Sequence, residues 1–348
     1  ARSVVRRPLA WGLGGALLLT AMAVPALGMR AQDAAVTDSL PPGEPTVAAA
    51  LRMARAFPGA PTPARVVVWS AAGRPVDGPQ VRAAIEELRR RAAEPGDGVA
   101  GPITVAPVGA ALELRVPLAG TGTDPTSTRA LSALRSRELP ATLGRVAGIQ
   151  YAVAGRTAFA ADFTARLTSR TPLVFGFVLL LAFGALALVF RSPAVAAASI
   201  VLNLLTVGAA YGVLTWVFQD GHLAGPLGFT AYGGIVSWLP LFVFVLLFGL
   251  GMDYHIFVLS RIRERLAAGA DARAAIVGGV AASAGVVTAA AVIMTAVFSV
   301  FIGLSAIEYK MLGVGMAVAV LIDATLVRGV LLPAALSVIG PGAWGRGR

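Results

Sequence analysis

Six stretches of this chain are long and apolar enough to cross a membrane, and that decides most of what it can fold into. The windows Leu9–Met29, Pro172–Phe190, Ala194–Phe218, Ile235–Leu259, Ala274–Leu304 and Met311–Ile339 each supply the roughly 20 mostly apolar residues that span a hydrocarbon core of about 30 Å. The last two exceed that length, so they are expected to tilt or to project beyond the bilayer. Leu9–Met29 follows Arg2, Arg6 and Arg7 in the manner of a signal peptide. Its apolar run is longer than a signal core, and no clean cleavage site follows, so a retained helix is expected. With 57% hydrophobic and 14% charged residues among 348, the chain departs from soluble domains, which carry about 45–50% and about 25%.

The net charge of +11 raises the question of nucleic acid, which would need the basic residues to form one patch. They do not. Arg2, Arg6 and Arg7 precede the first window, and Arg191 lies between the second and third. Arg261, Arg263, Arg265 and Arg273 lie between the fourth and fifth, and Arg346 and Arg348 follow the sixth. If six helices alternate, all of these fall on one side, the positive-inside pattern. Both termini are then expected in the cytoplasm and residues 30–170 outside the cell membrane. Nucleic acid drops out as a partner. With no cysteine and two histidines, disulfides, thiolate chemistry and most metal sites drop out too.

Residues 30–170 differ in kind, being rich in acids, arginines and turn clusters such as Pro41-Pro42-Gly43 and Pro58-Gly59. Arg65–Ser70 reads as a strand, and Gly78–Ala93 as an amphipathic helix with Val81, Ile85 and Leu88 on one face. Strands at Ile103–Pro107 and Ala111–Val116 follow, then a helix near Ser127–Leu139 and a strand at Gln150–Val153. That order is the split βαβ arrangement of a ferredoxin-like α/β domain. Ala158–Arg170 looks helical and is placed to run on into the second window. The expected organisation is a first membrane helix (1–29), an extracytoplasmic α/β domain (30–170), a five-helix membrane bundle (171–340) and a cytoplasmic tail (341–348).

Of 18 acidic residues, only Asp253 and Asp323 lie inside apolar windows. A charge at mid-bilayer costs about 2.5–3.5 kcal/mol on insertion scales, so such residues are functional candidates and are expected to face the bundle interior. A carboxylate away from water holds a proton more readily, because desolvation disfavours the charged form. Tyr254 places a hydroxyl beside Asp253. Arg328 lies five residues after Asp323, about 140° round an α-helix, so the two are not expected to point the same way. His255 reads as an incidental polar residue. Gly249, Gly251, Gly313 and Gly315 are small residues that let helices approach closely in lipid. Thr288, Thr295 and Ser299 offer hydroxyls to a carboxylate or back-bond to their own helix. No Walker A sequence, nucleophile elbow or zinc motif occurs, so an ATP-driven machine and an enzyme have no support.

Three stretches resemble the MMPL family of the RND superfamily of exporters. The first is FGLGMDYHIFVLSRIRER (Phe248–Arg265), with its Gly-x-Asp-Tyr run ahead of a basic segment. The second is LGVGMAVAVLIDATLVRGVLLPA (Leu312–Ala334), similar to that family's last helix. The third, looser, is YAVAGRTAFAADF (Tyr151–Phe163). The resemblance implies the C-terminal half of a twelve-helix transporter: helix seven, the second periplasmic porter domain, and helices eight to twelve. It further implies a proton relay through Asp253 and Tyr254 that is completed by an Asp-Tyr pair from the other half. Asp323 and Arg328 would be the polar residues of the last helix. The implied work is export of lipids or other hydrophobic compounds, driven by a proton gradient without a cofactor. The implied partners are membrane lipids and a missing N-terminal half or a second copy. Rival readings are a non-transporting membrane module of the same superfamily (a protein-translocation accessory or sterol-sensing-like subunit) and a half whose carboxylates only pack.

Overall fold

The computed structural model describes residues 2–41, 43–56, 63–94, 96 and 98–340. Pro42, the Pro58-Gly59 turn and the tail 341–348 with Arg346 and Arg348 lie outside the described residues. The chain divides into two compact units, Ala1–Ala31 with Thr168–Arg348, and Gln32–Leu167. In chain order, the principal helices are α1 (Pro8–Gly28), α2 (Pro79–Ala93), α3 (Pro125–Ala133), α4 (Arg156–Phe190), α5 (Pro193–Gln219), α6 (Leu239–Ala267), α7 (Ala272–Ile302) and α8 (Ile307–Ile339). The strands are β1 (Ala64–Ser70), β2 (Thr104–Val108), β3 (Ala111–Val116) and β4 (Ile149–Ala154). Shorter helices lie at Val36–Ser39 and Pro45–Ala56.

All six apolar windows are helices, and α1, α4, α5, α6, α7 and α8 are each long and apolar enough to cross a membrane. Local chemistry sets several of their ends. Ser192 accepts a hydrogen bond from the Val195 N–H and Pro193 opens α5, while Asp271 caps α7 through the Ala274 N–H. Both residues satisfy N–H groups that a helix start leaves without a partner. Lys310, buried at the start of α8, donates through Nζ to the Ile302 carbonyl at 3.1 Å. It thereby answers both the dipole and the free carbonyls at the end of α7.

Within the membrane unit α5, α6 and α8 are the most enclosed helices, and α1, α4 and α7 expose most of their apolar windows. Helix α1 lies against α5 so closely that a Cβ on Gly212 would collide with the Met22 carbonyl oxygen. The end of α1 is tied to the α5 terminus and the α6 approach. The Arg30 N–H donates to Gln219 Oε1 at 2.8 Å, Gln219 Nε2 donates to the Gly28 carbonyl at 3.0 Å, and the Ile235 N–H donates to the Arg30 carbonyl at 2.8 Å. Helix α4 meets α6 through stacked Phe175 and Phe244 rings and a 2.7 Å bond from Arg263 Nη1 to the Val189 carbonyl.

The Gln32–Leu167 unit is a four-stranded antiparallel sheet in the order β2-β3-β1-β4. The element order is strand, helix, strand, strand, helix, strand, with bounds within a few residues of those expected. Alternation puts Ala64, Val66 and Val68 of β1, with Leu114 and Val116 of β3, into a core shared with Val81, Ile85 and Leu88 of α2. Leu131, Leu134, Leu139 and Leu143 complete that core. On the opposite parity Glu113 accepts from Arg65 Nε at 2.6 Å and Arg115 Nε at 3.3 Å. Helix α3 begins at an N-cap, Asp124, which accepts from the N–H groups of Thr126 and Ser127.

Burial pushes the Asp124 carboxyl up, but the bonds from Thr121 and Ser127 outweigh it and hold the group well below the ordinary carboxylate range. A depressed folded value means a contribution to stability that is complete above the unfolded value of about 3.9 and lost as pH falls through the folded one. Asp124→Ala should therefore lower the stability of this unit by about 1 kcal/mol at neutral pH. Urea unfolding checks this, and the gap between variant and wild type should shrink in strong acid.

Candidate functional site

The intramembrane ionisable groups sit on α6 and α8. Helix α8 is α-helical from Ile307 to Ile322, π-helical over Asp323–Leu331 and α-helical again over Leu332–Ile339. In a π-helix each residue bonds to the one five along, so positions 323 and 328 stack one above the other. Arg328 Nη2 accordingly donates to Asp323 Oδ2, and both side chains are buried. This corrects the expectation that the two point apart, which assumed α-helical spacing throughout. Asp323 faces the bundle interior as expected.

Tyr254 covers the same pair from α6. The Arg328 guanidinium carbon lies 4.4 Å from the centroid of the Tyr254 ring, a cation–π contact. The Tyr254 hydroxyl points to Met294 Sδ of α7 at 3.8 Å. Ring and hydroxyl thus serve different neighbours.

Asp253 does not face the interior of this unit. Phe242, Val245, Gly249 and Asp253, spaced three and four apart, form the exposed face of α6. The opposite face, with Val243, Phe244, Leu247, Met252 and Val258, is buried. Within this unit, then, Asp323 faces inward and Asp253 lies on the exposed face of α6. One helix cannot turn adjacent residues Asp253 and Tyr254 in the same direction, and the bulk of α6 is turned so that Tyr254 meets α8. Asp253 and Tyr254 are neighbours in sequence whose side chains lie about 100° apart.

The four glycines also separate. A Cβ on Gly313 would lie 2.8 Å from the Phe298 carbonyl oxygen, so α7 and α8 touch there through backbone. A Cβ on Gly315 would meet the Leu214 side chain at 3.0 Å, and one on Gly251 would meet Asn203 Oδ1 at 3.0 Å. Gly249 faces open space beside Asp253. Of the hydroxyls on α7, Thr288 and Ser299 are exposed, and the buried Thr295 hydroxyl has no hydrogen-bond partner among the described residues.

Two residues of this region were passed over or discounted in the sequence. Asn203 of α5 is 1% exposed, and its Nδ2 has no partner among the described residues. Its signal was an amide in the middle of an apolar window. His255 is fully buried; Nδ1 engages the Gly251 carbonyl at 3.0 Å and Nε2 has no partner among the described residues. It is an interior group. Among the described residues no three His, Cys, Asp or Glu side chains cluster as a metal site. The arrangement joins a neutralised pair inside the bundle to a single carboxylate on its surface.

The MMPL family model matches residues 38–348. The chain belongs to the MMPL family. Over 343 residues it is 35% identical to the mycolic acid-containing lipids exporter MmpL11 of Mycolicibacterium smegmatis, covering 98% of this chain and 36% of that protein. The heme uptake protein MmpL11 of Mycobacterium tuberculosis is 37% identical over 344 residues, covering 98% of this chain and 35% of that protein. The trehalose monomycolate exporter MmpL3 of Mycobacterium tuberculosis is 30% identical over 197 residues, covering 57% of this chain and 21% of that protein. This MMPL chain spans about a third of the length of the two MmpL11 proteins.

Leaving one member of a buried pair uncompensated costs far more than replacing both with apolar groups. Arg328→Met should therefore destabilise the membrane unit by about 3–5 kcal/mol, and Asp323→Leu/Arg328→Met should recover most of that loss. Thermal unfolding of the three proteins in one detergent checks the order.

Proposed function

We propose that this chain is the C-terminal half of a proton-motive-force-driven exporter of lipids or other hydrophobic compounds. The observation that carries the reading is Asp253 within the apolar stretch of α6 and on its exposed face, beside the open space at Gly249. Lipid offers a carboxylate no partner, so such a residue belongs at an interface or in a water-lined path. Repeats related by an axis along the membrane normal bury their coupling site where they meet. A second repeat seated on this face would enclose Asp253 and supply the group that exchanges its proton. The partner is an N-terminal half of the transporter or a second copy. Membership of the MMPL family, with exporters of mycolic acid-containing lipids and trehalose monomycolate among the relatives, supports a lipid cargo.

Each residue then has a task. Asp253 takes and releases the proton. Asp323 and Arg328 form an internal pair whose geometry depends on the π-helical stretch. Tyr254 transmits between them, because it adjoins Asp253 in sequence and lies on the Arg328 guanidinium. Gln32–Leu167 is the porter domain, and a ferredoxin-like fold for it is supported by the antiparallel order β4-β1-β3-β2 with a helix after β1 and after β3. The arginine bias supports placing that unit outside the membrane and both termini in the cytoplasm. An impermeant thiol reagent applied to cells should then label Ala83→Cys and spare Ala268→Cys.

The transport reading is tested in proteoliposomes under a pH gradient. The chain co-expressed with an N-terminal half should export a lipid cargo, the chain alone should not, and Asp253→Asn in the co-expressed pair should abolish export without affecting assembly. Asn keeps the volume and loses the proton. Tyr254→Phe, which keeps the ring on Arg328, should impair export less. Export at the wild-type rate by assembled Asp253→Asn protein contradicts the relay.

A further inference from the structure

One cavity in the membrane unit has more unanswered polar atoms than the pair itself requires. It is a cavity of about 20 Å³ between α5, α6, α7 and α8, and its lining includes Asn203, Tyr254, Met294, Asp323 and Arg328; that is room for about one water. Three of these residues are more than nine-tenths buried: Asn203, Asp323 and Arg328. Each leaves one polar atom without a partner among the described residues: the donors Asn203 Nδ2 and Arg328 Nε, and the acceptor Asp323 Oδ1. The salt bridge uses only Arg328 Nη2 and Asp323 Oδ2, so it does not answer them. Thr206, also in the lining, is already back-bonded to the Leu202 carbonyl at 3.2 Å.

The chemistry of these atoms restricts the occupant. A cation would face the Arg328 guanidinium and the Asn203 amino group. An anion would face the Asp323 carboxylate. An acyl chain would leave all three atoms unsatisfied, and each orphaned polar group costs about 1–3 kcal/mol. A small neutral molecule that both donates and accepts satisfies them together, and buried water in proteins makes about three such bonds. The position of Asn203 is itself specified, because its carboxamide fills the space left by the missing Cβ of Gly251.

We propose that this cavity binds water, donating to Asp323 Oδ1 and accepting from Asn203 Nδ2 and Arg328 Nε, and that Asn203 is the positioning residue that retains it. The site lies on the interior side of α6, away from the exposed face that carries Asp253, so it is built by this chain alone. Water there lowers the cost of separating Asp323 from Arg328 and makes the pair a contact that can open and close. The groups turned toward the pair are then Tyr254 and His255 from α6 and Asn203 from α5. Only the role in a transport cycle rests on the export reading; the water site does not.

Hydroxyl-radical footprinting of the 348-residue chain in lipid nanodiscs tests this, because radicals formed from resident water oxidise adjacent Met and Tyr side chains. Met294 and Tyr254 should be oxidised, whereas Met316, fully buried and outside the cavity lining, should not. Asn203→Leu, close in volume and compatible with lipid, should reduce oxidation of Met294 and Tyr254 roughly tenfold, the effect of one lost hydrogen bond on occupancy. Asn203→Ser, which restores a polar group, should recover most of it. A wild-type Met294 as protected as Met316, or labelling unchanged in Asn203→Leu, overturns the proposal. The footprint needs neither cargo nor a proton gradient, so its failure is separable from a failure of the export reading.

Discussion

The bilayer supplies no partner for a charge, and the whole membrane unit is organised around that lack. Two carboxylates lie within its spans, and the chain treats them in opposite ways. Asp323 receives Arg328 from its own helix, Arg328 is covered in turn by the Tyr254 ring from α6, and the pair is enclosed. Asp253 receives no partner from the described residues and is turned to the surface of α6. Packing follows from this division. α6 must turn its Tyr254 side toward α8, and α8 must change its helical register to bring Arg328 over Asp323. α5 must approach α6 at Gly251, where the Asn203 carboxamide occupies the place of a side chain.

Much of the fold could be read from composition and period. Six apolar windows became six helices because a stretch of that length in lipid has no other way to satisfy its backbone. The soluble unit showed equally well, since Val66, Val68, Val81, Ile85 and Leu88 carry the periods of a strand and a helix that share one core. The Asp-Tyr run in α6 identified the family. Three features were not legible. The π-helical stretch leaves no mark in hydropathy, so a spacing of five looked like divergence and proved to be contact. The direction in which Asp253 faces depends on which side of α6 the neighbouring helices cover, and apolar residues surround all of α6. Asn203 was hidden because one amide in a long apolar window looks like noise until its neighbours are known.

The two units also differ in how their charges are spent. In Gln32–Leu167, ion pairs such as Arg135 with Asp162 and Arg65 with Glu113 are partly exposed, and pairs of that kind contribute about 0–1 kcal/mol each. Among the described residues of the membrane unit one enclosed pair, Asp323 with Arg328, spans the π-helical stretch of α8. The same residue types therefore carry little weight in one unit and set the geometry of the other.

The central claim is that the chain itself encloses Asp323 and presents Asp253. A lipid-soluble carbodiimide, which modifies carboxyl groups it can reach from the bilayer, tests that claim directly when applied to the chain alone in vesicles and read by peptide mass spectrometry. The account predicts modification at Asp253 and protection at Asp323. Modification at Asp323 with Asp253 protected would contradict it.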